Sequence, residues 1–202
     1  MPKKNTRNTK GRIISAAWKL FYEQGYEDTT IEDIVFESET SKGSFYHYFD
    51  GKDALLGTLA NVFDEKYQEL METMETNRNA IEKLTYLNHE LFAMIDERVS
   101  LELLTRLLST QLLARGEKHL LDRSRLYFKL LRQTVTEGQK QGQLRSDLTV
   151  NEIVKAYALW ERALLYDWCL CGGDYSLVAY TDRMTPMFLE SYRAEEKRME
   201  NV

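Results

Sequence analysis

The residues best equipped for chemistry in this 202-residue chain cluster between Ser38 and Asp53. Ser41, Ser44, Tyr46 and His47 can donate to phosphate oxygens, and Lys52 adds charge beside a helix start that already favours an anion. Ser41, Lys42, Gly43 and Ser44 are small or polar enough to bring a helix carrying them against base edges in a DNA major groove. No comparable set points to catalysis: the chain has no Gly-rich phosphate loop, no His-Glu-x-x-His and no Gly-x-Ser-x-Gly. Acids such as Asp147 and Glu161 stand singly on helices and mark no acid–base pair. Cys169 and Cys171, two apart on a helix, face in different directions and cannot converge with His89 or His119 on a metal. They are read as reduced structural thiols, so no metal or cofactor is expected and the chain is read as not an enzyme.

Such side chains need rigid carriers, and the apolar rhythm supplies them. Ile13, Ala16, Ala17, Leu20 and Phe21 recur at helical spacing and predict a helix over residues 9–24, stopped at Gly25. Thr30-Ile31-Glu32-Asp33 has the form of a capping box and opens a helix over 31–38. Ser41 is the N-cap of the next, which ends at Tyr48, and residues 50–53 open a fourth with an apolar face of Leu55, Leu56, Leu59, Phe63, Tyr67 and Leu70. Two short helices joined across Ser38-Glu39-Thr40-Ser41 suggest a helix-turn-helix at about 31–50. Downstream, helical rhythm covers 79–96, 99–114, 118–141, 150–171 and 175–197, with breaks at Gly116, at 142–149 and at Gly172-Gly173. Thr149-Val150-Asn151-Glu152 is a second capping box, and Pro186 is expected to kink or interrupt the last helix. The reading is all-α, about nine helices, with no repeat or low-complexity linker.

Charge is distributed unevenly along these elements. The formal net charge is −5, yet Met1 to Phe21 holds six basic residues and no acidic one, leaving a balance of −11 for the rest. A basic head therefore precedes an acidic body, an asymmetry that favours polyanion contact by the head. No stretch has signal-peptide character or the roughly 18 apolar residues of a membrane span, so the expected location is cytoplasmic and no membrane partner is expected.

On these residues the chain resembles the DNA-binding domain of TetR-type (tetracycline-repressor-like) transcriptional regulators. The resemblance lies in Thr30-Ile31-Glu32-Asp33-Ile34-Val35, in Thr40-Ser41-Lys42-Gly43-Ser44-Phe45-Tyr46-His47-Tyr48-Phe49, and in Lys52-Asp53-Ala54-Leu55-Leu56. Segments 137–147 and 164–168 resemble the family's later helices more weakly. It implies a DNA-binding domain at 8–68 and an effector-binding and dimerisation domain at 69–202. It further implies that Ser41, Lys42, Gly43 and Ser44 approach bases and phosphates, that Thr30, Tyr46, His47 and Lys52 grip the backbone, and that Phe45 and Phe49 are core. Lys3, Lys4 and Arg7 could enter the minor groove as an arm. Ordinary packing remains the alternative for Tyr46 and Tyr48, and a solvated cap for Lys52. One departure stands out: the family usually carries Ala-Gly-Val-Ser across the turn, whereas Glu39 here occupies the glycine position, at a cost of roughly 1 kcal/mol if its φ is positive. Glu39 is expected to face away from phosphates.

A reading helix of about seven residues cannot by itself reach the ~10⁻⁸ M typical of specific binding, so two copies are needed, their reading helices about 34 Å apart or a multiple of that on a palindrome. The helices at 150–171 and 175–197 are the dimer candidates, rich in Ala156, Leu159, Trp160, Ala163, Leu164, Tyr166 and in Leu177, Met184, Met187, Phe188, Tyr192. A polar and aromatic set, Tyr86, His89, Phe92, Tyr127, Tyr157 and Trp160, together with Arg106, Gln111, Arg132 and Trp168, occupies the region where the family encloses a small-molecule pocket. The resemblance thus implies a homodimeric repressor of a palindromic operator in double-stranded DNA, released by a small organic effector. Periodicity fits ordinary core equally well, which leaves open the same fold as a ligand-independent DNA-binding or protein-interaction module.

Overall fold

A computed structural model describes residues 9–75, 77–113 and 118–194. The arm residues Lys3, Lys4 and Arg7, the break at Gly116 and everything past Ala194 lie outside them. The described elements are α1 (Thr9–Gln24), α2 (Ile31–Glu37), α3 (Lys42–Tyr48), α4 (Lys52–Leu56), α5 (Leu59–Thr73), α6 (Ala80–Arg98), α7 (Leu101–Leu113), a 3₁₀ turn (His119–Leu121), α8 (Leu126–Lys140), α9 (Val150–Leu170) and α10 (Leu177–Glu190). The only extended pairing among the described residues joins Leu144 to Arg193. About nine helices become ten segments because the fourth is interrupted at Gly57-Thr58, where the Thr58 hydroxyl donates to the Leu55 carbonyl at 2.6 Å.

The structure refines two of the expected helices. The helix read over 118–141 is split: Asp122 accepts from the Ser124 amide at 2.8 Å, an Asx-type turn that competes with helix, and α8 starts only at Leu126. Pro186 does not interrupt α10, which runs through it to Glu190.

The chain groups into two compact units, 1–62 with 98–120 and 63–97 with 121–202, so the first unit is assembled from two separate stretches. In the first, α1 packs on α2 and α3, and α4 on α7. Its core holds Ile13, Ala17, Ile34, Phe45, Leu55 and Leu56, each fully buried. Burying each large side chain is worth roughly 1.5–3 kcal/mol, enough to hold helices of seven residues that would not persist alone.

In the second unit α8 lies along α9, over a core that includes Leu84, Phe92, Leu131, Val135, Ile153 and Tyr157. α8 meets α6 at Gly138, where a Cβ would stand 2.5 Å from that of Ala80. The Thr149 capping box opens α9 as expected, its hydroxyl accepting from the Glu152 amide at 3.3 Å. Leu159, Leu170, Tyr180 and Met187 on α9 and α10 are exposed, whereas Leu164 and Leu177, grouped with them in the sequence, are buried in the unit's own core. Among the described residues no helix is long and apolar enough to cross a membrane.

Candidate nucleic-acid interface and interior ligand site

The two short helices of the first unit are built by their caps. Thr30 accepts from the Asp33 amide at 3.1 Å while the Asp33 carboxylate receives the Thr30 amide at 2.9 Å, the reciprocal pair that the residue order predicts. This hydrogen bonding holds the Asp33 carboxyl below its ordinary pKa. After Glu37 the chain turns through Glu39, whose φ is +48°. The Glu39 amide bonds to the Phe36 carbonyl at 3.0 Å and the Thr40 amide to the Val35 carbonyl at 3.0 Å, the bond pattern of a Schellman motif with glutamate in its left-handed position. Arg12 reaches across from α1 and donates to the carbonyls of Ser38 and, at 2.7 Å, Glu39. The Arg12 guanidinium also stands 3.8 Å from the Glu39 carboxylate, so the turn that departs from the family pattern is held by a clamp from the first helix.

Ser41 then caps α3, accepting from the Ser44 amide at 3.1 Å, with the two hydroxyls 3.0 Å apart. Along α3 the side chains divide cleanly. Phe45 is fully buried and Phe49 is 5% exposed, whereas Lys42, Gly43, Tyr46 and His47 face outward. Lys42 pairs with Glu32 of α2, which raises the lysine pKa and lowers that of the glutamate. Gly43 has open space where a Cβ would be, with nothing nearer than the Ser41 hydroxyl at 3.9 Å.

Lys52 is placed differently from the backbone-gripping role the resemblance implies. Its ammonium donates to the carbonyls of Tyr26 at 2.6 Å, Thr29 at 2.8 Å and Glu27 at 3.3 Å, and lies 4.2 Å from the Tyr26 ring centre. In this arrangement it ties the start of α4 to the loop between α1 and α2. Tyr26 in turn donates to Asp53 and stacks against Arg106, which pairs with Glu27. Arg106, and Gln111 with it, thus belong to the first unit, whereas the aromatic set with which the sequence grouped them belongs to the second.

In the second unit a chain of hydrogen bonds crosses the core. Trp160 donates to Thr185 at 3.2 Å, Thr185 to the Asn88 side-chain oxygen Oδ1 at 2.8 Å, and Asn88 Nδ2 to Glu161 at 3.1 Å. Tyr127 donates to the other Glu161 oxygen at 2.6 Å, and Tyr157 to the Leu84 carbonyl at 2.8 Å. Glu161 is 4% exposed, and burial raises its pKa against the opposing pull of its donors. Beside Tyr127, with ring centres 5.2 Å apart, Tyr67 is buried and its hydroxyl has no hydrogen-bond partner among the described residues.

Of the aromatic set, Tyr127, Tyr157 and Trp160 meet in or beside this network, and Phe92 is fully buried. Tyr86 is half-buried under the Arg78 guanidinium, 4.2 Å away, and His89 is turned outward to Asp182 at 2.8 Å. Sequence reasoning missed Tyr67, Asn88, Glu161 and Thr185. The available signal was register: Asn88 shares a face with Leu84, Leu91 and Ile95, and Glu161 with Tyr157, Leu164 and Leu165, so each polar residue sits where a helix expects an apolar one.

A capped, sharply turned helix pair presenting a polar α3 face defines a helix-turn-helix protein. Comparison with known proteins agrees: residues 13–59 match the family described as bacterial regulatory proteins, tetR family, and residues 59–191 match the YsiA-like protein C-terminal region. The chain belongs to the tetR family. HbdR, a helix-turn-helix transcriptional regulator of Aromatoleum sp. (strain CIB), is 43% identical over 86 residues, which is 42% of this chain and 38% of HbdR. The transcriptional repressor DhaR of Mycobacterium sp. (strain GP1) is 25% identical over 76% of this chain and 79% of its own. The first curated relatives are thus matched over less than half of their length, 30% to 45%. Among solved structures, Thermus thermophilus FadR in complex with lauroyl-CoA superposes with a TM-score of 0.68 at 21% identity, covering 96% of this chain and all of that one.

Proposed function

We propose that the chain is a homodimeric transcriptional regulator that binds a palindromic operator through α3 and is released by a small organic effector. The observation that carries the DNA part is the α3 face: Phe45 and Phe49 anchor the helix inward while Ser41, Lys42, Gly43, Ser44, Tyr46 and His47 line its outer side. Gly43 is the most telling of these. The protein itself has room for a side chain there, so glycine suits an approach from outside by something that does not. Thr30, at the N-terminus of α2, lies on the exposed surface. Lys52 contributes by holding the loop at 26–29, and with it α2, in place.

On this reading residues 8–68 form the DNA-binding module and 69–202 the effector and dimer module, working in the cytoplasm without catalytic activity. The exposed Leu159, Leu170, Tyr180 and Met187 support pairing of α9 and α10 with those of a second copy. The interior network supports effector binding: the unpartnered Tyr67 hydroxyl, next to Tyr127 and Glu161, would be satisfied by a polar atom of a ligand. FadR in complex with an acyl-CoA is a precedent in the same fold for a ligand with a polar group joined to a long apolar part. The ligand-independent alternative draws on the same network, since its members other than Tyr67 already have partners.

Selection of bound duplexes from a random pool tests the proposal. A recovered palindrome, bound with a log affinity that falls linearly with log salt, is expected. A pool that yields no preferred sequence, or a complex indifferent to salt, would overturn it. In the same assay Lys42→Ala should relax preference at particular base pairs, whereas Lys52→Ala should weaken all sequences alike through the loop it holds.

A further inference from the structure

A cleft of about 330 Å³ opens between α8 and the first half of α9 in the second unit, and four cations surround it: Arg123, Arg132, Lys155 and Arg162. Its floor is apolar, with Phe128 and Val154, and no carboxylate lines it. The concentration of charge is out of character for a chain whose net charge is −5 and whose acidic excess lies in this part. Several other cations of the same unit stand beside carboxylates: Arg125 with Asp64, Lys66 with Glu90, Lys83 with Glu137 and Arg145 with Asp147. Among the described residues none of the four cleft cations has a carboxylate within 4.0 Å. The Arg132 guanidinium donates to the Arg123 carbonyl at 3.2 Å, which draws two of the four cationic residues together.

Like charges gathered round a concave, partly apolar surface repel one another and raise the local potential, so their arrangement is relieved by a counter-ion of matching shape. Guanidinium groups favour phosphate or carboxylate oxygens bidentately, and several cations favour a dianion over a monoanion. The apolar floor adds affinity only for an anion that carries hydrocarbon. We infer that this cleft is a binding site for an amphipathic organic phosphate, whose head meets the four cations and whose apolar part lies on Phe128 and Val154. The site is distinct from the interior network of Tyr67 and Glu161 and stands whether or not that network takes an effector.

The test uses the full chain in buffer free of phosphate and sulfate, with octyl phosphate below its micellar concentration as probe, and with inorganic phosphate and octanol as the two half-ligands, each followed by calorimetric titration. Octyl phosphate should bind at least roughly tenfold more tightly than either half-ligand, because head and chain contribute together. Lys155→Gln and Arg132→Gln should each weaken it roughly three- to tenfold with the far-ultraviolet dichroism unchanged, and Tyr67→Phe should leave it unaltered. Lys155 is exposed, so its substitution does not threaten the fold. Binding of octanol as tight as that of octyl phosphate, affinity insensitive to both cleft substitutions, or affinity lost in Tyr67→Phe alone would each overturn the assignment, the last by placing the probe in the interior.

Discussion

Replacing Gly43 by alanine separates what the fold needs from what DNA needs. Gly43 sits at the second position of α3, its φ is not in the left-handed region, and an added Cβ would meet only the Ser41 hydroxyl at 3.9 Å, an ordinary contact. Nothing in the protein opposes the methyl group. Alanine restricts the unfolded chain and favours helix, worth roughly 0.5–1 kcal/mol in a helix interior. For a chain of this size that corresponds to a rise in Tm of about 1–4 °C. Against this, if α3 approaches DNA as proposed, a methyl group on its outer face would hold the helix off the base edges, and loss of even one good base contact costs about 1–3 kcal/mol. Gly43→Ala should therefore melt at or above the wild-type temperature while its affinity for the selected operator falls roughly tenfold or more. Thermal denaturation followed by dichroism and a fluorescence-anisotropy titration at fixed salt measure the two quantities on one preparation. A variant that is more stable and binds the operator as tightly as wild type would refute the close approach of α3.

Further outcomes follow from the second unit. Tyr67→Phe removes a buried hydroxyl that has no partner and should raise stability by roughly 1 kcal/mol in urea denaturation; a loss of that size would show that the hydroxyl is satisfied. Glu161→Ala strands the Tyr127 hydroxyl and the Asn88 amide in the core and should cost roughly 2–5 kcal/mol, far more than Glu161→Gln, which keeps an acceptor. Because burial raises the folded pKa of Glu161 above its ordinary 4.5, the folded state holds the proton more tightly, so stability should fall as pH rises from about 4.5 through the raised value. Glu161→Gln should flatten that segment of the pH profile, and an unchanged slope would remove Glu161 as its source. Gly138→Ala forces a methyl group to 2.5 Å from Ala80 and 2.9 Å from Leu144 and should destabilise by about 1–3 kcal/mol, read from the urea midpoint.

The first unit was largely legible because its signals are local. Thr30 and Asp33, or Ser41 and Ser44, lie three residues apart, so the caps of α2 and α3 can be read from residue order alone. The strained turn at Glu39 was legible as a departure from a family pattern, but not the Arg12 clamp, which comes from 27 residues away. Lys52 illustrates the same limit. A lysine at a helix start reads as a free charge until the loop at 26–29 folds back and offers it three carbonyls. Glu161 was hidden by its type: a carboxylate on a helix normally faces water, and only the partners from α6 and α8 make its burial tolerable. The basic cleft draws its cations from the turn before α8, from α8 and from α9, a convergence that no spacing along the chain encodes.

The three tryptophans divide between the two units in a way that makes the chain its own reporter. Trp18 lies in the core of the first unit, its indole donating to Thr58 at 2.8 Å. Trp160 and Trp168 lie in the second, Trp160 stacked flat on Phe188 with ring centres 4.7 Å apart and hydrogen-bonded into the Glu161 network. Tryptophan emission from a Trp18→Phe chain therefore comes from the second unit alone, and tryptophan emission from Trp160→Phe/Trp168→Phe from the first alone. Unlabelled protein can thus be followed one unit at a time during unfolding, or while operator and small molecules are added in either order.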